Sequence, residues 1–148
     1  MSTTPTAGTF KGRTHILPVR VYYEDTDFTG VVYHANYLRY CERGRSDFLR
    51  AAGVDHTALM NAPDPTVFAV HEMAIKFIRP ARIDDALEVR TEAEAVTGAR
   101  LIFSQRILRR EEEIVRARVE ACCISPTGRP KRPPALLVEQ LLPYLQIG

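Results

Sequence analysis

An antiparallel sheet with one long helix on its apolar face, an α+β chain of two layers, is the fold class this sequence predicts. Three observations carry that reading. Five segments show the alternation or the β-branched and aromatic content of strands. One segment alone holds an apolar stripe at helical spacing over several turns. The last four strand segments follow one another through mostly short turns, and short turns join antiparallel neighbours.

The first strand is expected over His15 to Tyr23, with Leu17, Val19, Val21 and Tyr23 on one face. Pro18 has no N–H to give a neighbour, so this strand should start at a sheet edge. A polar stretch from Glu24 to Gly30 breaks the pattern. Tyr37, Cys41, Gly44, Phe48 and Ala52 then recur at three- and four-residue spacing, the stripe of a long helix, and Gly53 supplies its stop.

Beyond a loop rich in Pro and Asp, a strand carries Val67, Ala69, Met73, Ile75 and Phe77 on one side, and Pro80 closes it. The next has one wet side, with Leu87, Val89, Ala93 and Ala95 opposite Glu88, Arg90, Glu92 and Glu94. Thr97-Gly98 forms a hairpin turn into a strand over Leu101 to Leu108, and the charged run Arg109 to Glu113 turns the chain again. The last strand turns Val115, Ala117, Val119, Ala121 and Cys123 inward and ends at Pro126-Thr127-Gly128. A short helix is expected within Pro134 to Leu145.

At 148 residues, 45% of them hydrophobic, the chain makes one domain with a core of its own. Residues 1–14 read as a flexible tail and 15–148 as the folded domain. The formal charge is only +2, which offers no broad field to nucleic acid or anionic lipid. Nothing approaches transmembrane length. Three cysteines, two of them adjacent at Cys122 and Cys123, suit neither a disulfide framework nor a metal site, so a reducing, cytoplasmic setting is expected.

The segment from Val21 to Tyr37 concentrates reactive groups beyond what a linker needs. Glu24, Asp25 and Asp27 accept hydrogen bonds, Tyr23 and Tyr33 donate them, and His34 titrates near neutrality. Gly30 lets backbone approach a ligand. Turn and capping duty accounts for part of this set only.

Here the sequence resembles the 4-hydroxybenzoyl-CoA thioesterase family, most closely the Tol-Pal-associated acyl-CoA thioesterases. The resemblance rests on Tyr22-Tyr23-Glu24-Asp25-Thr26-Asp27, on Gly30-Val31-Val32-Tyr33-His34 with Asn36-Tyr37, and on Glu42-Arg43 followed by Arg45. Weaker similarity continues through Pro80-Ala81-Arg82 and Phe103-Ser104-Gln105-Arg106-Ile107. It implies a hotdog fold, a five-stranded antiparallel sheet wrapped around the helix, assembled as dimers or tetramers. It also implies an acyl-CoA thioesterase whose catalytic carboxylate is Asp27, with His34 and Tyr23 at further active-site positions. Phe28-Thr29 departs from the family's pattern and bears on pocket shape more than on the reaction.

The chemistry can be argued from the residues as well. Charge developing on a thioester oxygen is best met by fixed N–H donors at a helix N-terminus, where His34 to Asn36 should lie. Asp27, with an ordinary pKa of about 3.9, serves as an oriented nucleophile forming a mixed anhydride. Alternatively, His34, ordinarily near about 6.5, deprotonates a water that Asp27 orients. The sequence leaves both open.

Glu42 is a second candidate acid, although Arg39 and Arg45 at three-residue spacing make it an expected ion-pair member. His71 reads as structural. Asp25, Asp27 and His34 lack the further ligands of a metal shell, so no metal and no prosthetic group is expected. The CoA phosphates need a basic landing place. Two candidates exist, Arg100 after the Thr97-Gly98 turn and the cluster of Arg129, Lys131 and Arg132 beyond the last strand; the resemblance roughly matches Arg100 and Arg132 to the family's CoA contacts, while Tyr33 is expected to touch substrate. A hydratase acting on acyl-CoA and a non-catalytic domain binding acyl carrier protein or another protein are the alternative functions on this fold.

Overall fold

The structure, a computed structural model, describes residues 3–146. Its strands are β1 (Thr9–Lys11), β2 (Thr14–Arg20), β3 (Val67–Phe77), β4 (Ala86–Thr97), β5 (Arg100–Arg109) and β6 (Glu112–Ile124). Its helices are α1 (His34–Ala51), α2 (His56–Asn61) and α3 (Ala135–Leu141). All strands pair antiparallel in one sheet of order β1-β2-β4-β5-β6-β3, wrapped around α1.

This is the expected hotdog arrangement with six strands instead of five. The extra strand lies in the segment read as a tail: β1 pairs with β2 through Phe10 and His15, and the Phe10 ring stacks on Tyr144 at 3.9 Å and meets Phe48 edge-on at 5.0 Å. Three residues between Gly8 and Gly12 carry too little alternation to announce a strand. A half-buried ring, packed on Tyr144 and Phe48, holds it in place.

α1 follows its sequence stripe: Tyr37, Cys41, Gly44 and Phe48 are buried, and Gly53 takes φ +99°, a left-handed stop. Gly44 is where helix and sheet come closest. A Cβ there would stand 2.7 Å from Val89 Cγ1 and 2.9 Å from Thr91 Oγ1. Beneath this contact Gln105 donates to the Cys41 carbonyl at 2.8 Å and to Thr91 Oγ1 at 2.9 Å, and accepts from Arg45 Nη1 at 2.9 Å. Three strand and helix polar groups are thereby satisfied inside the core.

Three strand expectations need correction. In β4 a bulge at Glu94 puts Val96, not Ala95, on the core face with Leu87 and Ala93. β2 ends at Arg20, so Tyr23 does not share a face with Leu17; it opens a 3-10 turn, Tyr23–Asp25, because the Asp25 carboxylate captures the Tyr22 N–H at 2.9 Å. In β3 a bulge at His71 reverses the alternation. Phe68 faces the core before it and Met73 and Ile75 after it, so Val67 and Ala69 lie on the other face from Met73. The bulge leaves His71 exposed instead of packed.

Candidate active site

The segment from Val21 to Tyr33 folds back on itself and is tied to the start of α1. Thr26 and Val32 bridge, Asp27 N donates to Val31 O at 2.8 Å, and Gly30, at φ +85°, closes the turn onto Asp27 O. The Asp25 carbonyl accepts from Tyr33 N at 2.9 Å and Asn36 Nδ2 at 2.8 Å. Behind, Val32 N reaches Ala81 O, and Tyr37 Oη accepts from Ala81 N at 2.9 Å. Asp25 thus serves as a brace. The loop position of Asp27 is fixed relative to the helix.

Asp27 Oδ1 accepts from both Thr29 Oγ1, at 2.7 Å, and Thr29 N, at 2.8 Å. These donors, the hydroxyl foremost, hold the carboxyl below its ordinary pKa, so it is ionised at neutrality. Among the described residues Oδ2 has no hydrogen-bond partner. One oxygen is anchored and the other is free.

The α1 N-terminus begins at His34, with no side-chain cap on Tyr33 and no acid in the first turn. Among the described residues the His34 and Ala35 amides therefore keep the donor capacity that helix starts leave unpaired, while Asn36 N donates to Tyr33 O at 2.8 Å. His34 is exposed, 4.6 Å from the Tyr33 ring and edge-on to Phe77 at 6.2 Å. It lines a shallow cleft of about 270 Å³ with Val32, Tyr37 and Phe77.

Asp27 does not line that cleft and faces solvent in a single chain, and no hydrogen bond or ion pair joins it to His34 or Tyr23 among the described residues. Tyr23 is 83% exposed, Phe28 fully so, and Tyr22 and Tyr33 are exposed too. Four exposed aromatic side chains thus flank Asp27 along the chain.

The basic candidates stand elsewhere. Arg100 opens β5, its guanidinium between Glu120 at 3.4 Å and the His71 ring at 3.2 Å. Lys131 pairs with Asp64 at 3.0 Å and donates to the Asp64 and Pro65 carbonyls, so it fixes the loop before β3. Arg132 is exposed and without a partner among the described residues. These residues lie by Val67 and Ile124, whereas His34 lies by Phe77 at the far end of β3. α1 separates the two ends by about 27 Å, at 1.5 Å per residue over 18 residues. A single chain does not bring Arg100, Lys131 and Arg132 to Asp27.

Glu42 forms no ion pair with Arg39 or Arg45 among the described residues. Arg39 donates to Asn36 Oδ1 and Arg45 to Gln105 instead. Glu42 sits at a second cavity, about 290 Å³, between α1, α2 and β3. The sequence singled out neither this cavity nor Thr66 within it. His71, Glu72 and Glu120 place their ligand atoms within 4.8 Å of one another on the exposed bulge, but Arg100 is already hydrogen-bonded to two of them.

Residues 21–141 match the model of the Thioesterase-like superfamily. The chain is 41% identical over 125 residues to the acyl-CoA thioester hydrolase YbgC of Escherichia coli O157:H7, covering 83% of this chain and 92% of that one. It is 42% identical over 107 residues to the acyl-CoA thioesterase YbgC of Haemophilus influenzae, covering 72% and 78%. A probable thioesterase from Bartonella henselae superposes with a TM-score of 0.79 at 45% identity, over 82% of this chain and 99% of that one.

Proposed function

The chain belongs to the thioesterase-like superfamily, and from that premise we propose how it works. It is an acyl-CoA thioester hydrolase, converting an acyl-CoA and water to a carboxylic acid and CoA. The observation that carries the site assignment is the asymmetric anchoring of Asp27, with Oδ1 held by Thr29 and Oδ2 unpaired among the described residues, in a loop that the Asp25 carbonyl ties to Tyr33 and Asn36 at an uncapped helix start.

Oδ2 attacks the thioester carbon, and the first amides of α1 stabilise the oxyanion. The C–S bond breaks, CoA leaves as thiolate, and water hydrolyses the mixed anhydride to restore the carboxylate. His34 takes the proton of the second-step water. Tyr23 and Tyr33 flank the approach of the substrate.

The site is completed by a second copy. β3 ends the sheet with its outer edge unpaired over 11 residues among those described, a surface suited to strand pairing. Antiparallel pairing of two β3 strands sets the Asp27 end of one chain beside the Arg100 and Arg132 end of the other. It covers the exposed aromatics and gives the CoA phosphates cationic partners. Tetramers arise by further pairing of such dimers.

Among the described residues no helix is long and apolar enough to cross a membrane. Cys41, Cys122 and Cys123 are free thiols, and the cytoplasm is the compartment we assign. Acyl carrier protein presents the same reacting carbon as CoA and is a second carrier.

The test is thiol release from short, long and aromatic acyl groups, on CoA and on acyl carrier protein. Release from at least one acyl-CoA is expected. Silence across the panel, with CoA thioesters still bound, contradicts the reading.

A further inference from the structure

The cavity between α1, α2 and β3 has apolar walls, including Met60, Phe68 and Phe103, yet one buried polar atom on its lining, Thr66 Oγ1, is left without a partner among the described residues, and a guanidinium with donors to spare lines the same space. Thr66 is 1% exposed, and its Oγ1 has no hydrogen-bond partner. Arg45 is 9% exposed, and only its Nη1 has an acceptor among the described residues, Gln105 Oε1. Buried polar groups are nearly always paired, and an orphan beside a cavity asks what pairs with it. Both residues line the same space.

We propose that this cavity selects an acyl group bearing a neutral oxygen, a hydroxyl or a keto group, which accepts from Arg45 and pairs with the Thr66 hydroxyl. The inference rests on the thioesterase reading above. Three features narrow the ligand. A volume of about 290 Å³ stands at the lower end of the range for small-molecule pockets, about 300–1,000 Å³, so the group is short. Arg45 offers only donors, so the ligand atom must accept; Thr66 can donate or accept, which a hydroxyl matches best. Glu42 lines the same cavity, and its carboxylate opposes a second anion there, which disfavours an acyl chain ending in a carboxylate.

The cavity also shares the β3 end that carries Arg100 and Arg132. Its lining includes Val67 to Val70, the part of β3 paired with Ala121 to Ile124. The acyl group and the phosphates of one substrate are thereby held by one chain, and the reacting carbon is offered to Asp27 of the other.

Binding is measured by calorimetry with hydrolysis-inert thioethers: S-hexyl-CoA against its 3-hydroxy, 5-hydroxy and 5-oxo derivatives. The full-length parent should bind at least one oxygenated analogue about tenfold more tightly than S-hexyl-CoA, the worth of one buried hydrogen bond. Thr66→Val, close to isosteric, should bring that ratio towards one, and Thr66→Ser should restore it. Arg45→Lys, which keeps the charge and loses the planar fork, should lower it as well. A parent that binds S-hexyl-CoA as well as every oxygenated analogue, or binds none of them, overturns the proposal. So does a preference that survives unchanged in Thr66→Val. Failure of the hydrolase reading looks different: the preference is present, and no thioester is cleaved.

Discussion

The two ends of α1 are built on opposite rules. At the C-terminal end Phe48 and Leu49 are buried with Phe103, Leu137 and Leu141, and Gln140 donates to the Gly53 carbonyl at 2.8 Å beyond the helix stop. At the N-terminal end no side chain caps the helix, His34 and Tyr33 are exposed, and the nearby loop holds an ionised Asp27 among exposed aromatics. The closed end supplies stability, and where Leu49 and Phe103 line the cavity it also supplies a wall for the acyl group. The open end leaves donors and a carboxylate oxygen unspent, which is what binding and chemistry require and folding does not.

That contrast breaks if a change at the open end costs folding, or a change at the closed end costs only chemistry. Asp27→Asn should carry the largest effect, a fall in kcat of about a thousandfold, with the melting temperature kept near the parent's. Thiol release and thermal melting on the same sample check both halves. Phe48→Ala should do the reverse. It removes a fully buried ring and should destabilise the fold by about 3–5 kcal/mol in denaturant titration, while the protein that remains folded turns over near the parental rate.

Thr29→Val sharpens the comparison with a smaller change. It deletes the hydroxyl donor to Asp27 Oδ1 and keeps the backbone one, so kcat should fall about tenfold or less. The folded pKa of Asp27 is depressed, so activity needing the carboxylate is present at neutrality and lost as pH falls through that value. Without the hydroxyl the pKa rises towards its ordinary value. The acid limb of the pH–rate profile should move to higher pH, and an unmoved limb would mean that a different group controls it.

Local periodicity made the closed end legible from sequence. The stripe Tyr37 to Ala52, the alternation of β4 from Leu87 to Ala93 and the inward set Val115 to Cys123 on β6 all appear where spacing puts them. The reversal in β3 was not legible, because one inserted residue at His71 changes a face without changing composition. β1 was not legible because what holds Phe10 is Tyr144, 134 positions away. At the site, the concentration of acids, tyrosines and His34 showed in one short stretch, and their attachment to a helix start followed. The pairing of Arg45 with Gln105, the orphan Thr66 and the distance from Asp27 to Arg100 depend on tertiary contact alone. Spacing along the chain holds no trace of them.

The account turns on one active site drawing its open end from one chain and its basic end from another. Subunit complementation tests this most directly: Asp27→Asn is co-expressed with a chain carrying Arg100→Glu and Arg132→Glu, and the tagged heterodimer is assayed for thiol release. Each homodimer should be nearly inactive, whereas the heterodimer holds one intact site and should recover up to about half of the parental activity, since each dimer has two sites. A heterodimer no more active than the mean of its two parents would contradict the account.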